Sequence, residues 1–189
     1  MSEVKVDKIS PRAGTDVTLG DSGDTFTIPS GATITNSGTA TGFGEDNTPS
    51  FSAYPSGGVA CSASTWTKVS LQTERWDTDS AFDSTTNYRF TVPAGEGGKY
   101  VFHYAVTNTG LDDNESLNVA LYKNGSRENN GYTWQYSANT NKYINIVASV
   151  VLDLSATDYI ELWTMQNENE TRSVEAAYTY LTGFKLAGV

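Results

Sequence analysis

The chain has 189 residues, of which 22 are Asp or Glu and 12 are Lys or Arg, so its formal net charge is −10. This acidity argues against a phosphate-rich partner, and we expect no nucleic-acid binding. The single cysteine, Cys61, and the single histidine, His103, supply neither an internal disulfide nor the ligands of a zinc site.

The residue types present indicate a β-rich protein. Thr, Ser, Gly, Asn and Tyr are plentiful and the candidate helical spans are short, so we expect almost no helix. The first residues, MSEVKVDKIS, lack the apolar stretch of a secretion signal, and no segment reaches the ~18 apolar residues of a membrane span. We therefore expect a protein that is made in a cytoplasm and does not insert into a membrane.

Residues 1–46 contain no Trp or Tyr and differ in texture from the rest of the chain. Their apolar residues alternate with polar ones between the turn-like segments GDSGD and PSG, which predicts short strands with one apolar face. One copy cannot bury that face, but three copies wound around a common axis can, so we expect a short trimeric stalk. A disordered linker is the alternative, because the composition suits that too. The alternating residues are Val17, Leu19, Phe26, Ile28 and Ile34.

Residues 47–189 hold all four Trp and all eleven Tyr. Strand signals recur there roughly every 8–15 residues without a crossover helix between them. About eight to ten strands in this arrangement predict an all-β antiparallel sandwich, and the jelly roll is the commonest closed form of it. The pair Asn124-Gly125 predicts a hairpin turn, because both residues tolerate positive φ.

The segment KYINIVASVVLDL, residues 142–154, predicts a long strand with apolar side chains on both faces. One face carries alternate residues from Ile144 to Leu154, and the other carries Tyr143, Val147 and Val151. A strand of this kind is either central in a sheet or covered on both sides.

Two motifs in the second part of the chain are specific enough to compare with known families. The first begins with Phe82-Asp83 and Tyr88, and a proline and a glycine-rich corner then precede a strand of alternating aromatic residues. The second is LTGFKL, residues 181–186, near the end of the chain. The residues that carry both motifs are Phe82, Asp83, Tyr88, Phe90, Pro93, Gly98, Tyr100, Phe102, Gly183, Phe184 and Leu186.

In order and spacing, these motifs resemble the globular heads of complement subcomponent q and of the tumour necrosis factor superfamily. The resemblance covers about residues 49–189. It implies a ten-stranded jelly roll that assembles as a homotrimer.

The Thr-, Gly- and Ser-rich segment 1–46 is similar to stretches in fibre and spike proteins of tailed bacteriophages. This second resemblance implies a virion appendage, assembled in the host cytoplasm and displayed on the virion surface. Its N-terminus would contact other virion structural proteins, and its head would face outward.

Two groups of residues in the head are candidates for binding. Asp112, Asp113 and Glu115 offer oxygen ligands of the kind that calcium accepts, although solvated loop acids are the default interpretation. Tyr132, Trp134 and Tyr136 lie among amide and hydroxyl side chains, a mixture that suits sugar binding. The alternative is a core strand whose aromatic residues build the head interior or the trimer axis.

No constellation of catalytic residues emerges from the sequence. His103 lies in the middle of a predicted strand without a nucleophile context, and Cys61 has no partner motif. We therefore expect a non-enzymatic homotrimer, a short virion fibre or spike whose head attaches to a host receptor, surface or glycan. The alternatives are a capsid decoration protein with a stabilising role and a secreted carbohydrate-recognition domain.

Overall fold

The computed structural model describes residues 9–33, 35, 37 and 47–186. The chain divides into two compact units, residues 1–43 and residues 44–189.

The described residues of the first unit form turns and no strand. Their backbone hydrogen bonds are local: the Asp24 N–H donates to the Asp21 carbonyl at 3.0 Å, and the Ala32 N–H donates to the Pro29 carbonyl at 3.1 Å. The strands predicted around Val17, Leu19, Phe26 and Ile28 are therefore wrong for the single chain. These side chains remain exposed, because one copy of so short a segment has no second apolar face to pack against. The predicted strand residue Ile34 lies outside the described residues.

The second unit is almost entirely β-structure. Its only described helix is one turn of 3-10 helix at Ala176–Tyr178. The strands are β1 (Ser50–Tyr54), β2 (Val59–Cys61), β3 (Thr67–Lys68), β4 (Thr73–Asp77), β5 (Phe82–Asp83), β6 (Arg89–Thr91), β7 (Gly98–Leu111), β8 (Ser116–Lys123), β9 (Ser126–Tyr136), β10 (Lys142–Leu154), β11 (Tyr159–Gln166), β12 (Arg172–Val174) and β13 (Tyr180–Lys185).

These strands form two sheets in which every strand pair is antiparallel. The seven-stranded sheet has the order β2-β12-β7-β13-β1-β4, and β10 pairs with the other edge of β7. The six-stranded sheet has the order β5-β6-β11-β8-β9, with the short β3 also paired to β11. The predicted all-β antiparallel sandwich is confirmed. The described residues form thirteen strands where about ten were expected, because several ladders are only two or three residues long.

The core between the sheets is built around a stack of aromatic rings. The ring of Phe51 lies 4.9 Å from those of both Phe82 and Phe90, and Phe90 lies 5.5 Å from Tyr100 and 6.1 Å from Phe102. All five side chains are buried, and each contributes roughly 2 kcal/mol or more through apolar burial.

The corner before β7 has the form that the sequence predicts. Pro93 follows the end of β6, and the Glu96 N–H donates back to its carbonyl at 3.1 Å. Gly95 has φ of 83°, a conformation that glycine adopts without strain. The turn brings Tyr100 into the core, where its hydroxyl donates to the Glu96 carbonyl at 2.6 Å.

The sequence predicted that β10 is either central in a sheet or covered on both faces, and the first of these expectations is wrong. Among the described residues, β10 pairs only with β7, so it is an edge strand and not a central one. Ile144, Ile146 and Leu152 are buried in the core, whereas Val147 is 65% exposed on the opposite face. The pattern is apolar on both faces, but this chain covers only one of them.

Candidate interaction surfaces

The outward face of the seven-stranded sheet is an exposed apolar surface. Cross-strand register sets Phe184 of β13 beside Val101 of β7, and Val101 beside Val151 of β10. Two rows away, Ala105 lies between Tyr180 and Val147. We call this surface the exposed sheet face; its members are Trp76, Val101, Tyr143, Val147, Val151, Tyr180 and Phe184.

Four of the seven side chains of the exposed sheet face are exposed, and the other three are half-buried. Tyr143 is 68% exposed, Val147 65% and Val151 53%. A shallow cavity of about 260 Å³ lies on the β4 and β13 side of this face, with Trp76 and Phe184 in its lining. An exposed apolar surface of this kind, crossed by one polar row, is typical of a protein–protein contact.

His103 lies in a polar row that crosses the same face. It is exposed, with Thr182 opposite on one side and Ser149 opposite on the other. Its ring is 6.5 Å from that of Phe184, and its side chain makes no hydrogen bond among the described residues. The neighbouring hydroxyls of Ser52 and Thr182 bond to each other at 2.8 Å, so the row forms no nucleophile–base pair around His103.

The outward face of the six-stranded sheet carries a ladder of aromatic rings. In β8, Leu117, Val119 and Leu121 point into the core, so the alternate residues face outward. Register then places Tyr132 opposite Ala120, and Trp134 opposite Asn118, on that outward face. We call Trp66, Tyr122, Tyr132, Trp134 and Trp163 the aromatic ladder.

The rings of the aromatic ladder contact one another in sequence. Trp163 stacks on Tyr122 with centroids 4.7 Å apart, and Tyr122 lies 5.8 Å from Trp66. Trp66 lies 6.3 Å from Tyr132, which stacks on Trp134 at 5.7 Å with an angle of 19° between the planes. Burial among these groups raises the pKa of Tyr122, although the nearby charge of Arg127 lowers it.

Polar contacts fix the ladder in place. The Tyr132 hydroxyl donates to Asn118 Oδ1 at 2.8 Å. At the other end, Trp163 Nε1 donates to Glu161 Oε2 at 3.0 Å, and Lys68 Nζ contacts Glu161 Oε1 at 3.0 Å. Two of the five rings, Tyr132 and Trp163, are therefore anchored by hydrogen bonds.

The three candidate ligand-facing residues all lie outside the core. Tyr132 is half-buried, whereas Trp134 is 56% and Tyr136 61% exposed. The interpretation of this segment as head interior is wrong, because Gly131 and Thr133, and not the aromatic residues, have the inward register. Tyr136 makes no ring contact among the described residues.

Sequence reasoning missed the other members of the ladder. Tyr122 and Trp163 were detectable, since each alternates with leucine or isoleucine core residues in its own strand. Trp66 lies just before β3 and reaches the ladder only through tertiary structure. No local pattern predicts that contact.

The three calcium candidates lie in the β7–β8 loop but do not converge. Asp112 Oδ1 accepts from the Asn141 N–H at 3.1 Å, and Asp113 Oδ2 accepts from Asn114 Nδ2 at 3.0 Å. Glu115 Oε2 is buried without a hydrogen-bond partner among the described residues. Within 9–33, 35, 37 and 47–186, no three His, Cys, Asp or Glu side chains are grouped as a metal site requires.

A neighbouring carboxylate, Glu168, organises that loop. Its Oε2 accepts from the Asp112 N–H at 3.0 Å, and its Oε1 accepts from the Asn169 N–H at 3.1 Å. Burial disfavours the charged form, but these hydrogen bonds and the Arg172 guanidinium outweigh it and hold the pKa of Glu168 below its ordinary value. The loop is stabilised by this protein carboxylate.

Within the described ranges, the structure contains no helix with the length and apolar character to cross a membrane. Cys61 is buried in β2, and this burial raises the pKa of its thiol.

No protein-family model matches the sequence, and no curated protein matches it either. Solved structures do match the fold. Eiger TNF from S. frugiperda is 17% identical with a TM-score of 0.55, covering 74% of this chain and 92% of its own. The globular domain of the zebrafish complement 1qA protein is 15% identical with a TM-score of 0.52, covering 73% of this chain and 97% of its own.

Murine APRIL is similar to the chain in the same way. It is 16% identical with a TM-score of 0.53, and the match covers 72% of this chain and 98% of that one. Together with the two antiparallel sheets, these likenesses show that the chain has the jelly-roll fold of the tumour necrosis factor and complement 1q domains.

Proposed function

We propose that this protein is a non-enzymatic homotrimer, a short virion fibre or spike whose jelly-roll head attaches the particle to a host receptor, surface or glycan. The observation that carries the proposal is the exposed sheet face. It combines an edge strand, β10, with apolar side chains that one chain leaves uncovered.

The exposed sheet face suits a closed three-fold assembly. The resemblance to complement q and tumour necrosis factor heads implies a homotrimer. Such a ring uses heterologous contacts, in which two different patches of one subunit meet, and it buries an edge that otherwise invites uncontrolled pairing. Val147 and Val151 lie on that edge strand and supply apolar surface for the contact.

The virion assignment rests on residues 1–46. Their resemblance to phage fibre and spike proteins supports a stalk, and their exposed apolar side chains, Phe26 at 70% and Leu19 at 59%, need a partner surface. Three copies in parallel supply one. In this arrangement the N-terminal residues contact other virion proteins and the head is displayed outward.

Immunogold labelling of particles of the phage that encodes this protein tests the proposal. An antibody against residues 47–189 is expected to label intact particles at regular positions. Labelling on the tail supports the fibre or spike, and labelling distributed over the capsid supports a decoration protein. Absence of the protein from purified particles contradicts the virion assignment.

A further inference from the structure

We propose that the aromatic ladder and Arg127 together bind an acidic oligosaccharide, a chain of hexopyranose units that carry carboxylates. This inference rests on the proposed attachment function and names the class of ligand. It also assigns the recognition to the outward face of the six-stranded sheet.

The ladder provides the apolar part of such a site. Trp134 stacks on Tyr132, and 56% of its surface is still exposed. Aromatic rings present flat apolar faces with a polar rim, which suits the apolar C–H face of a pyranose. The exposed amides of Asn129 and Asn130 precede Tyr132 in β9 and can pair with sugar hydroxyls.

The positive charge of Arg127 is the reason for inferring an acidic ligand. Its guanidinium lies 4.7 Å from the Tyr132 ring centre and 6.0 Å from that of Trp66. It forms no ion pair among the described residues, although the chain has a net charge of −10. Two other cations of the same sheet do form ion pairs. Lys68 pairs with Glu161 and Lys123 pairs with Asp158, each at 3.0 Å.

The donors of Arg127 are available to a ligand. The side chain is exposed and donates no hydrogen bond to the described residues, so its N–H groups can bind a carboxylate through two parallel hydrogen bonds. In a strongly acidic protein, an uncompensated cation fixed on an aromatic surface is an electrostatic complement to an anionic ligand.

A bulge puts Arg127 in this position. The β8–β9 register shifts between Ala120 and Tyr122, so that Arg127 lies opposite Tyr122, on the outward face. Bulges of this kind re-aim side chains and are common next to functional sites.

The geometry suits an extended ligand. Arg127, Tyr132 and Trp134 follow one another along β9, with steps of 4.7 and 5.7 Å between their groups. A short sugar chain laid along β9 thus meets the cation with one unit and the exposed Trp134 ring with the next. Because the Tyr132 hydroxyl is anchored on Asn118, this side chain needs no further ordering on binding.

Isothermal titration of the full-length protein tests this inference. The probes are hexasaccharides of galacturonate, mannuronate and glucuronate, each beside its methyl-esterified form, which keeps the chain and removes the charge. We expect at least one acid to bind, and its ester to bind at least tenfold more weakly, because esterification removes the charge that strengthens a hydrogen bond to the guanidinium. Binding should weaken as salt is added.

Three variants test whether the oligosaccharide binds at the aromatic ladder. Trp134→Ala and Arg127→Gln are each expected to weaken the acid about tenfold or more, and Arg127→Lys to recover part of the loss. Arg75→Gln is the matched control, since Arg75 also lies over a tyrosine, at 5.2 Å from the Tyr54 ring, away from the ladder. It should bind like the parent protein.

Several outcomes would overturn the inference. These are no binding of any acid at millimolar concentration, equal binding of acid and ester, or loss of binding in the Arg75 control but not in the Arg127 variant. A fall of Trp134→Ala to a single-chain mass would instead show that the ladder is a subunit contact. None of the binding results bears on whether the protein is a virion trimer, so the two proposals fail separately.

Discussion

Gly183 lies where the aromatic core is most tightly packed. A Cβ at this position would come within 2.7 Å of Phe102 Cδ1 and within 2.8 Å of Phe51 Cε1, closer than real side chains approach. The closing motif therefore needs glycine here for space, since two rings occupy the volume where a side chain would stand.

Replacing Gly183 with alanine should destabilise the head. We expect the free energy of unfolding to fall by roughly 1–3 kcal/mol, because the rings must shift to admit the methyl group. Denaturant unfolding measures this change. Gly57→Ala is the control, since a Cβ there meets nothing within 4 Å. An equal effect of the two substitutions would show that the packing argument is wrong.

Asp83, another motif residue, holds the loop between β5 and β6. Its carboxylate accepts hydrogen bonds from the backbone N–H groups of Thr86, Thr85 and Asn87. These bonds favour the charged form and hold the pKa of Asp83 well below its ordinary value. The motif thus specifies the shape of a turn and no chemistry that acts on a ligand.

The stability supplied by Asp83 should depend on pH. Because the folded-state pKa is lowered, the contribution is present above the unfolded-state pKa of about 3.9 and is lost as pH falls below it. We expect Asp83→Asn to be less stable than the parent at pH 6, and the difference to shrink towards pH 2. Urea unfolding across this range measures it. The exposed Asp153→Asn controls for the lost charge, and a pH-independent difference would contradict the assignment.

One hairpin and one strand show what sequence patterns reveal and what they leave open. The hairpin at Asn124-Gly125 was predictable and is confirmed, with φ of 53° and 78° between β8 and β9. For β10 the pattern gave two apolar faces. The pattern did not reveal that one of these faces points away from the chain's own core. A face that packs on a second copy and a face that packs on the same chain have the same alternation of apolar residues.

An acidic substitution on β10 tests whether a second copy covers that face. Val147→Glu should convert a trimer to single chains, because three carboxylates would be brought into an apolar contact without partners. Light scattering behind a sizing column measures the mass. Trp134→Glu, an exposed position on the opposite sheet, should leave the mass unchanged. A trimer that tolerates Val147→Glu but not Trp134→Glu would move the contact to the aromatic ladder.

For the molecule as a whole, the sequence predicted the fold more fully than the binding surfaces. The aromatic motifs around Phe90 and Phe102 are local and report directly on a packed sandwich. The aromatic ladder joins Trp66, which lies outside the strands, to rings from three strands, and its cation, Arg127, reaches it through a bulge. Contacts between distant segments and register shifts leave no periodic signal, so only the structure brings these residues together.

The homotrimer is the central claim of this account, and native mass tests it most directly. We would measure the full-length protein and the fragment 47–189 by light scattering at micromolar concentration. The account predicts that the full-length protein has the mass of three 20.4 kDa chains. A trimeric fragment would show that the head drives assembly, and a monomeric fragment would assign it to the stalk. If both species have the mass of one chain, the account is contradicted.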